Sequence, residues 1–209
     1  MPRKFDAVSG DEVTRIDAAQ AAYFDTITEA FDPPYPPGVA ERLERIVEAA
    51  AIAAGEAVLD VGTGTGALIP GVQAAGAGVV YANDLSPAML ETVAERYPAV
   101  TTVLGGIRTL DLPDDVVDVV LINACYPNLT DKRTVFANVT RMLRPGGRVV
   151  ISHPMGRRIL DFLHAEMPFP VDEFPSSRDE AAELFAPFGL TVERYVDEDE
   201  LYILVLRRD

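Results

Sequence analysis

Three glycines alternate in the stretch VLDVGTGTGAL, directly behind an apolar run that carries Asp60. Gly62, Gly64 and Gly66, with Thr63 between the first two, allow a tight strand-to-helix turn whose amides approach a ligand closely. Such loops commonly cradle phosphate, and GTGTGA also fits the looser dinucleotide pattern, with Ala67 in the third glycine's place. Asp60 discriminates. Facing a pyrophosphate in a partly buried cleft, its carboxylate costs on the order of a few kcal/mol; facing a sulfonium or ammonium, it is favourable. A purely local role for Asp60, bonding the loop's own amides, is the alternative and is compatible with the first.

Asp84 ends the next apolar run, 24 residues after Asp60. A carboxylate there accepts from the ribose hydroxyls of an adenosine; its competing role, capping the following helix, is already filled by Ser86. Asp84 does not tell NAD from S-adenosylmethionine, but Asp60 favours a nucleoside with a cationic tail and no phosphate, a description that S-adenosylmethionine meets. Further candidates lie where open α/β sheets bind ligands, at the carboxyl ends of strands. His153 closes the fifth strand and titrates in a range useful to a general base, although a structural role is an open alternative. Tyr126 and Asn123 end the fourth: Tyr126 is a second catalytic candidate facing substrate or core, and Asn123 shapes a cofactor pocket. His164 falls mid-helix and Cys125 reads as a small core residue. No His or Cys pair has metal-ligand spacing, so no metal is expected.

These residues need a frame. Apolar positions from Asp11 to Phe31 recur at helical steps, as one amphipathic helix or two short ones, after an irregular start over residues 1–10. DPPYPPG breaks the chain, and VAERLERIVEAAAIAA forms a helix stopped by Gly55. Strands are expected at 57–61, 78–84, 100–106, 116–125 and 148–154, with helices between them. A helix over GRRILDFLHAEM, a proline-rich excursion, another helix and two adjacent strands joined by an acidic turn complete the chain. The expected fold is α/β: a Rossmann-like, doubly wound, seven-stranded sheet, mostly parallel, with a C-terminal antiparallel hairpin.

The 209 residues fit one domain with a full core. A net charge of −15 repels phosphate backbones and anionic lipid, arguing against nucleic acid and stable membrane association. The lone cysteine implies no disulfide, and neither a leader nor a transmembrane-length run is evident, so a cytoplasmic protein is expected.

VLDVGTGTG, NDLSPAMLE, LDLPDDVVDVVLINACYPNLTD and NVTRMLRPGGRVVISHP resemble the successive motifs of class I S-adenosylmethionine-dependent methyltransferases, in the small-molecule branch that includes ubiquinone and menaquinone biosynthesis enzymes. The resemblance spans about residues 40 to 154. It implies a single domain over 1–209, with a lid region at 1–37, a cofactor core at 38–154 and a substrate-side insert and helix-hairpin at 155–209. It implies S-adenosyl-L-methionine as cofactor, S-adenosyl-L-homocysteine as product, and a small organic acceptor. Asp60, Gly62, Gly64 and Gly66 would hold the methionine end and Asp84 the ribose, while Leu85, Met89 and Ile107 line the adenine. AAYFDTITEAFD resembles the lid helix, with Tyr23 reaching the cofactor, and a monomer or homodimer is expected. In the family pattern an acid after the third strand accepts from the adenine amino group; here the position is Gly106. CYPN likewise replaces a His-containing stretch. Two other functions remain open: an NAD(P)-dependent oxidoreductase, and a non-catalytic partner protein of the same fold.

Overall fold

The computed structural model describes Phe5 and residues 8–209. The expected irregular start thus lies largely outside the described residues, but Phe5 itself stacks on Phe136 and meets Phe185 edge-on, both at 5.8 Å between centroids.

Helix α1 (Gly10–Thr26) is capped by Ser9, whose hydroxyl accepts from the Glu12 amide. The periodicity continues to Phe31 but the helix does not. Thr26 and Thr28 bond the carbonyls of Tyr23 and Phe24, and a short 3-10 turn, Thr28–Phe31, follows. After the proline break comes α2 (Val39–Ala50). The repeating units are β1 (Ala57–Val61), α3 (Ile69–Ala74), β2 (Val79–Asp84), α4 (Pro87–Arg96), β3 (Thr101–Leu104), β4 (Val117–Asn123), α5 (Lys132–Met142) and β5 (Leu143–His153). Then come α6 (Ile159–Glu166), α7 (Arg178–Phe185), β6 (Leu190–Glu198) and β7 (Leu201–Arg208).

The seven strands lie in the order β3-β2-β1-β4-β5-β7-β6. The first five pair in parallel, and β7 runs antiparallel between β5 and β6. Alternate side chains supply two cores, as a sheet covered on both faces requires. Val58, Val119, Leu121, Val150 and Ile203 pack with Leu43, Ile46, Val72 and Val93 from α2, α3 and α4. Leu59, Val120, Ile122, Ile151 and Leu204 face Phe136 of α5, Leu160 of α6 and Phe185 of α7 on the other side. The strand order reverses between β1 and β4, so a crevice opens at their carboxyl ends. Among the described residues no helix is long and apolar enough to cross a membrane.

Candidate functional site

The glycine loop begins where β1 ends. Gly62, Gly64 and Gly66 have φ of 61°, 56° and 90°, a region costly for residues with a Cβ. The loop is tied to β2 by the Thr63 amide, which donates to the Asn83 carbonyl at 3.0 Å. At Gly62 a Cβ would also stand 2.8 Å from both Cβ and Sγ of Cys125, whose thiol donates to the Val61 carbonyl. Burial pushes that thiol's pKa well up, with the carboxylates of Asp60 and Asp84 adding to it; Cys125 packs against the loop and is also part of the cavity wall. The helix expected to follow directly starts only at Ile69, and a loop with turns of its own fills residues 62–68.

Two expectations for this loop are corrected. Asp60 does not line the cavity: it is 2 % exposed, lies between Ala82 and Leu121 on the central strand, and accepts from the Thr63 hydroxyl at 2.7 Å. Burial pushes its pKa up to about 7, opposed by the Thr63 hydroxyl and assisted by Asp84. Of its two expected roles neither appears as stated: the contact is local, but it is made to the Thr63 hydroxyl and not to the loop's amides. Gly66 also stands away from the cavity; a Cβ there would strike Ile69 and Tyr97, so its glycine serves packing.

Asp84, at the end of β2, accepts from the Gly64 amide at 2.9 Å and the Ser86 amide at 3.0 Å. Burial pushes its pKa up, and these amides pull it back. Asn83 bonds the carbonyls of Val103 and Gly105 at 2.9 and 2.7 Å, strapping the turn after β3 to β2. Asp84, Leu85, Gly106 and Ile107 therefore form one continuous wall.

That wall belongs to a cavity of about 610 Å³. Gly62, Thr63, Gly64, Asp84, Leu85, Met89, Gly106, Ile107, Asn123 and His153 all line it, and α1 contributes Tyr23. Its outer part is apolar, with Phe24, Phe31, Phe162, Leu163 and Met167. Tyr23 and Phe24 meet Phe169 at 5.7 and 5.9 Å, joining α1 to the proline-rich excursion. Asn123 accepts from the Ser152 hydroxyl at 3.0 Å. The next residue, Ala124, takes a φ of 56° in the cavity wall.

His153 is 6 % exposed, and its Nδ1 accepts from the Met155 amide at 3.1 Å. Burial pushes its pKa down to about 4. The ring is neutral at physiological pH with its proton on Nε2, an arrangement suited to donating a hydrogen bond and poorly suited to removing a proton. Tyr126 is corrected more fully: it is 1 % exposed, stacks on Phe174 at 5.5 Å, lies under Lys132 and does not line the cavity. The 3-10 turn Tyr126–Asn128 swings its ring into the core.

The cavity also collects residues that sequence reasoning missed. Asp17 and Gln20 enter from α1, Arg108 from the turn after β3, and Asn128 and Thr130 from the loop after β4. Gln20 is anchored to the Asn128 carbonyl at 2.7 Å. Arg108 Nε and Asn128 Oδ1 are buried with no protein partner. A signal was present: Val13, Asp17, Gln20 and Phe24 share one helical face, and Val13 and Gln20 are its buried members. Among the described residues, no group of three His, Cys, Asp or Glu side chains is placed to hold a metal ion.

Residues 59–151 match the family model described as a methyltransferase domain. A demethylmenaquinone methyltransferase of Tropheryma whipplei (strain Twist) is 37% identical over 108 residues, covering 49% of this chain and 45% of that protein. The chain spans about half the length of the curated relatives it matches. A geranyl diphosphate C-methyltransferase from Streptomyces coelicolor A3(2), solved with Mg2+, geranyl diphosphate and S-adenosyl-L-homocysteine, superposes with a TM-score of 0.71 at 14% identity, covering 93% of this chain and 98% of that one. An S-adenosylmethionine-dependent methyltransferase from Mesorhizobium loti gives a TM-score of 0.66 at 19% identity over 82% of this chain and all of that one. The two structural likenesses bear on the fold.

Proposed function

We propose that this chain, whose residues 59–151 match a family model of a methyltransferase domain, transfers a methyl group from S-adenosylmethionine to a small apolar acceptor. The observation that carries the reading is one cavity joining the Gly62–Gly64 loop and Asp84 to an apolar mouth built by Phe24, Phe162, Leu163 and Met167. Its volume suits a small-molecule site. The residues present fit the cofactor. Asp84 offers a carboxylate to a ribose, the glycines leave room at the loop, and the unpartnered Asn128 and Arg108 atoms await a polar ligand at the far end.

Bound there, S-adenosylmethionine supplies a methyl carbon activated by positive sulfur, and S-adenosylhomocysteine is the product. The chain's task is positioning and the exclusion of water. Helix α1 and the segment around Phe169 cover the crevice. Asn123 and the loop amides set the depth of the methionine end, and His153 orients an acceptor oxygen by donating from Nε2. Among the described residues Arg108 is the one cation lining the cavity, which favours an uncharged acceptor over a diphosphate. The setting is cytoplasmic and the partner a small molecule.

The test is calorimetry with S-adenosylhomocysteine and with NAD, followed by incubation of a metabolite extract with isotope-labelled methyl donor. Micromolar binding of the former and label in an organic-soluble product support the proposal. Binding of NAD alone sinks it. Cofactor binding without label transfer to any metabolite favours the non-catalytic partner reading.

A further inference from the structure

The base end of the cavity contains a carboxylate delivered from an unexpected direction. A Cβ built on Gly106 would stand 3.3 Å from Asp17 Oδ2 and 3.7 Å from Leu85 Cδ2. Asp17 of α1, Leu85 after β2 and the turn after β3 thus converge on one point. That point continues the wall that begins at Asp84: the Gly105 amide donates to the Asp84 carbonyl at 2.9 Å, and Asn83 holds the Gly105 carbonyl. A nucleoside with its ribose at Asp84 lays its base along Leu85, Gly106 and Ile107, with its outer edge toward Asp17.

The hydrogen-bonding inventory there selects a donor. The Gly106 carbonyl already accepts from the Thr109 amide and the Ile107 carbonyl from Asn138. Of the side-chain acceptors there, the Asp17 carboxylate takes a hydrogen bond from Thr130 and keeps further lone pairs, and Asn128 Oδ1 is buried and unpartnered. Arg108 and Thr130 favour the charged form of Asp17 against its burial, which pushes the pKa up. A purine edge bearing an exocyclic amine satisfies these acceptors; one bearing a carbonyl opposes them.

Resting on the proposal that the cavity holds S-adenosylmethionine, we infer that Asp17 accepts the cofactor's adenine amino group, so that helix α1 reads the base. Gly106 is the counterpart of this arrangement, because a side chain at 106 crowds the space that the Asp17 carboxylate fills. Closure of α1 and recognition of adenine are then a single event.

The experiment compares S-adenosylhomocysteine with S-inosylhomocysteine, in which a carbonyl replaces the amine, by calorimetry on the whole chain. The wild type is expected to prefer the adenine compound at least tenfold. In Asp17→Asn the preference falls to threefold or less. The double variant Asp17→Ala with Gly106→Asp, which returns a carboxylate from the opposite wall, regains a preference. Thermal melts of each variant verify that it is folded, and a ratio of two affinities is insensitive to a general loss of stability. An unchanged preference in Asp17→Asn overturns this inference alone. Failure of the wild type to bind either nucleoside overturns it together with the methyltransferase proposal.

Discussion

The amide of Gly64 donates to the carboxylate of Asp84 across 2.9 Å, so the loop after β1 and the end of β2 share a single anion. Ser86 completes the cradle with a second amide at 3.0 Å. Replacing Asp84 by Ala leaves two largely buried donors unfilled, which costs on the order of 1–3 kcal/mol of stability. It also removes the ribose acceptor, so calorimetry should find S-adenosylhomocysteine binding abolished while urea denaturation registers the smaller structural loss. Retained binding counts against the assigned ribose position.

Gly62 is constrained twice, by its φ of 61° and by Cys125 at 2.8 Å. Gly62→Ala should lose roughly 2–4 kcal/mol, part from the left-handed backbone and part from the collision. In a Cys125→Gly background the collision disappears and the backbone part stays. A double-mutant cycle by urea unfolding should therefore give a coupling of at least about 1 kcal/mol. Strict additivity would mean that the loop moves aside freely.

The pH dependence of stability contains opposing contributions at this site, His153 in one direction and Asp60 in the other, with Asp84 and Asp17 raised in the same direction as Asp60. His153, lowered by burial to about 4 from an ordinary 6.5, leaves the unfolded chain holding the extra proton between those values. Its contribution is present above 6.5 and is lost as pH falls toward 4. Asp60, raised by burial to about 7 from 3.8, contributes fully below 3.8 and loses that contribution as pH rises through 7. His153→Gln removes the first contribution only. Relative to wild type it should gain up to about 3 kcal/mol as pH drops from 7 to 4, measured by urea midpoints. A difference that does not vary with pH would place the imidazole in water.

Asp25 latches the lid. Its Oδ1 accepts from the Ser86 hydroxyl at 2.5 Å and the Ala88 amide at 3.3 Å, pinning the end of α1 to the start of α4. Asp25→Ala should speed amide exchange across residues 10–26 and weaken S-adenosylhomocysteine about fivefold, with the sheet's protection unaltered. Exchange at wild-type rates in α1 would show that the helix is held by its aromatic contacts instead.

Much of this frame was readable from local pattern. VVDVVLINAC is largely apolar because both faces of β4 are covered, and the acids one residue before the end of β1 and at the end of β2 mark strand ends by themselves. What escaped depended on distant chain segments. Tyr126 follows a strand end, where a substrate-facing residue is expected, but its ring is claimed by Phe174, 48 positions away. Gly66 is indistinguishable in sequence from Gly62 and Gly64, and only the approach of Tyr97 shows that its purpose differs. Asp17 has a helical partner in Gln20, yet its site exists only once α1 lies across the turn after β3.

Cys125 is the single cysteine among the 209 residues, and its sulfur sits under the very loop proposed to grip the methionine end. The side chain is half-buried and lines the cavity, so a maleimide or disulfide reagent reaches that sulfur through the cavity itself. Its labelling rate in the unaltered chain is therefore a gauge of how often the cavity stands open, and ligand occupancy should slow that rate without any engineered probe.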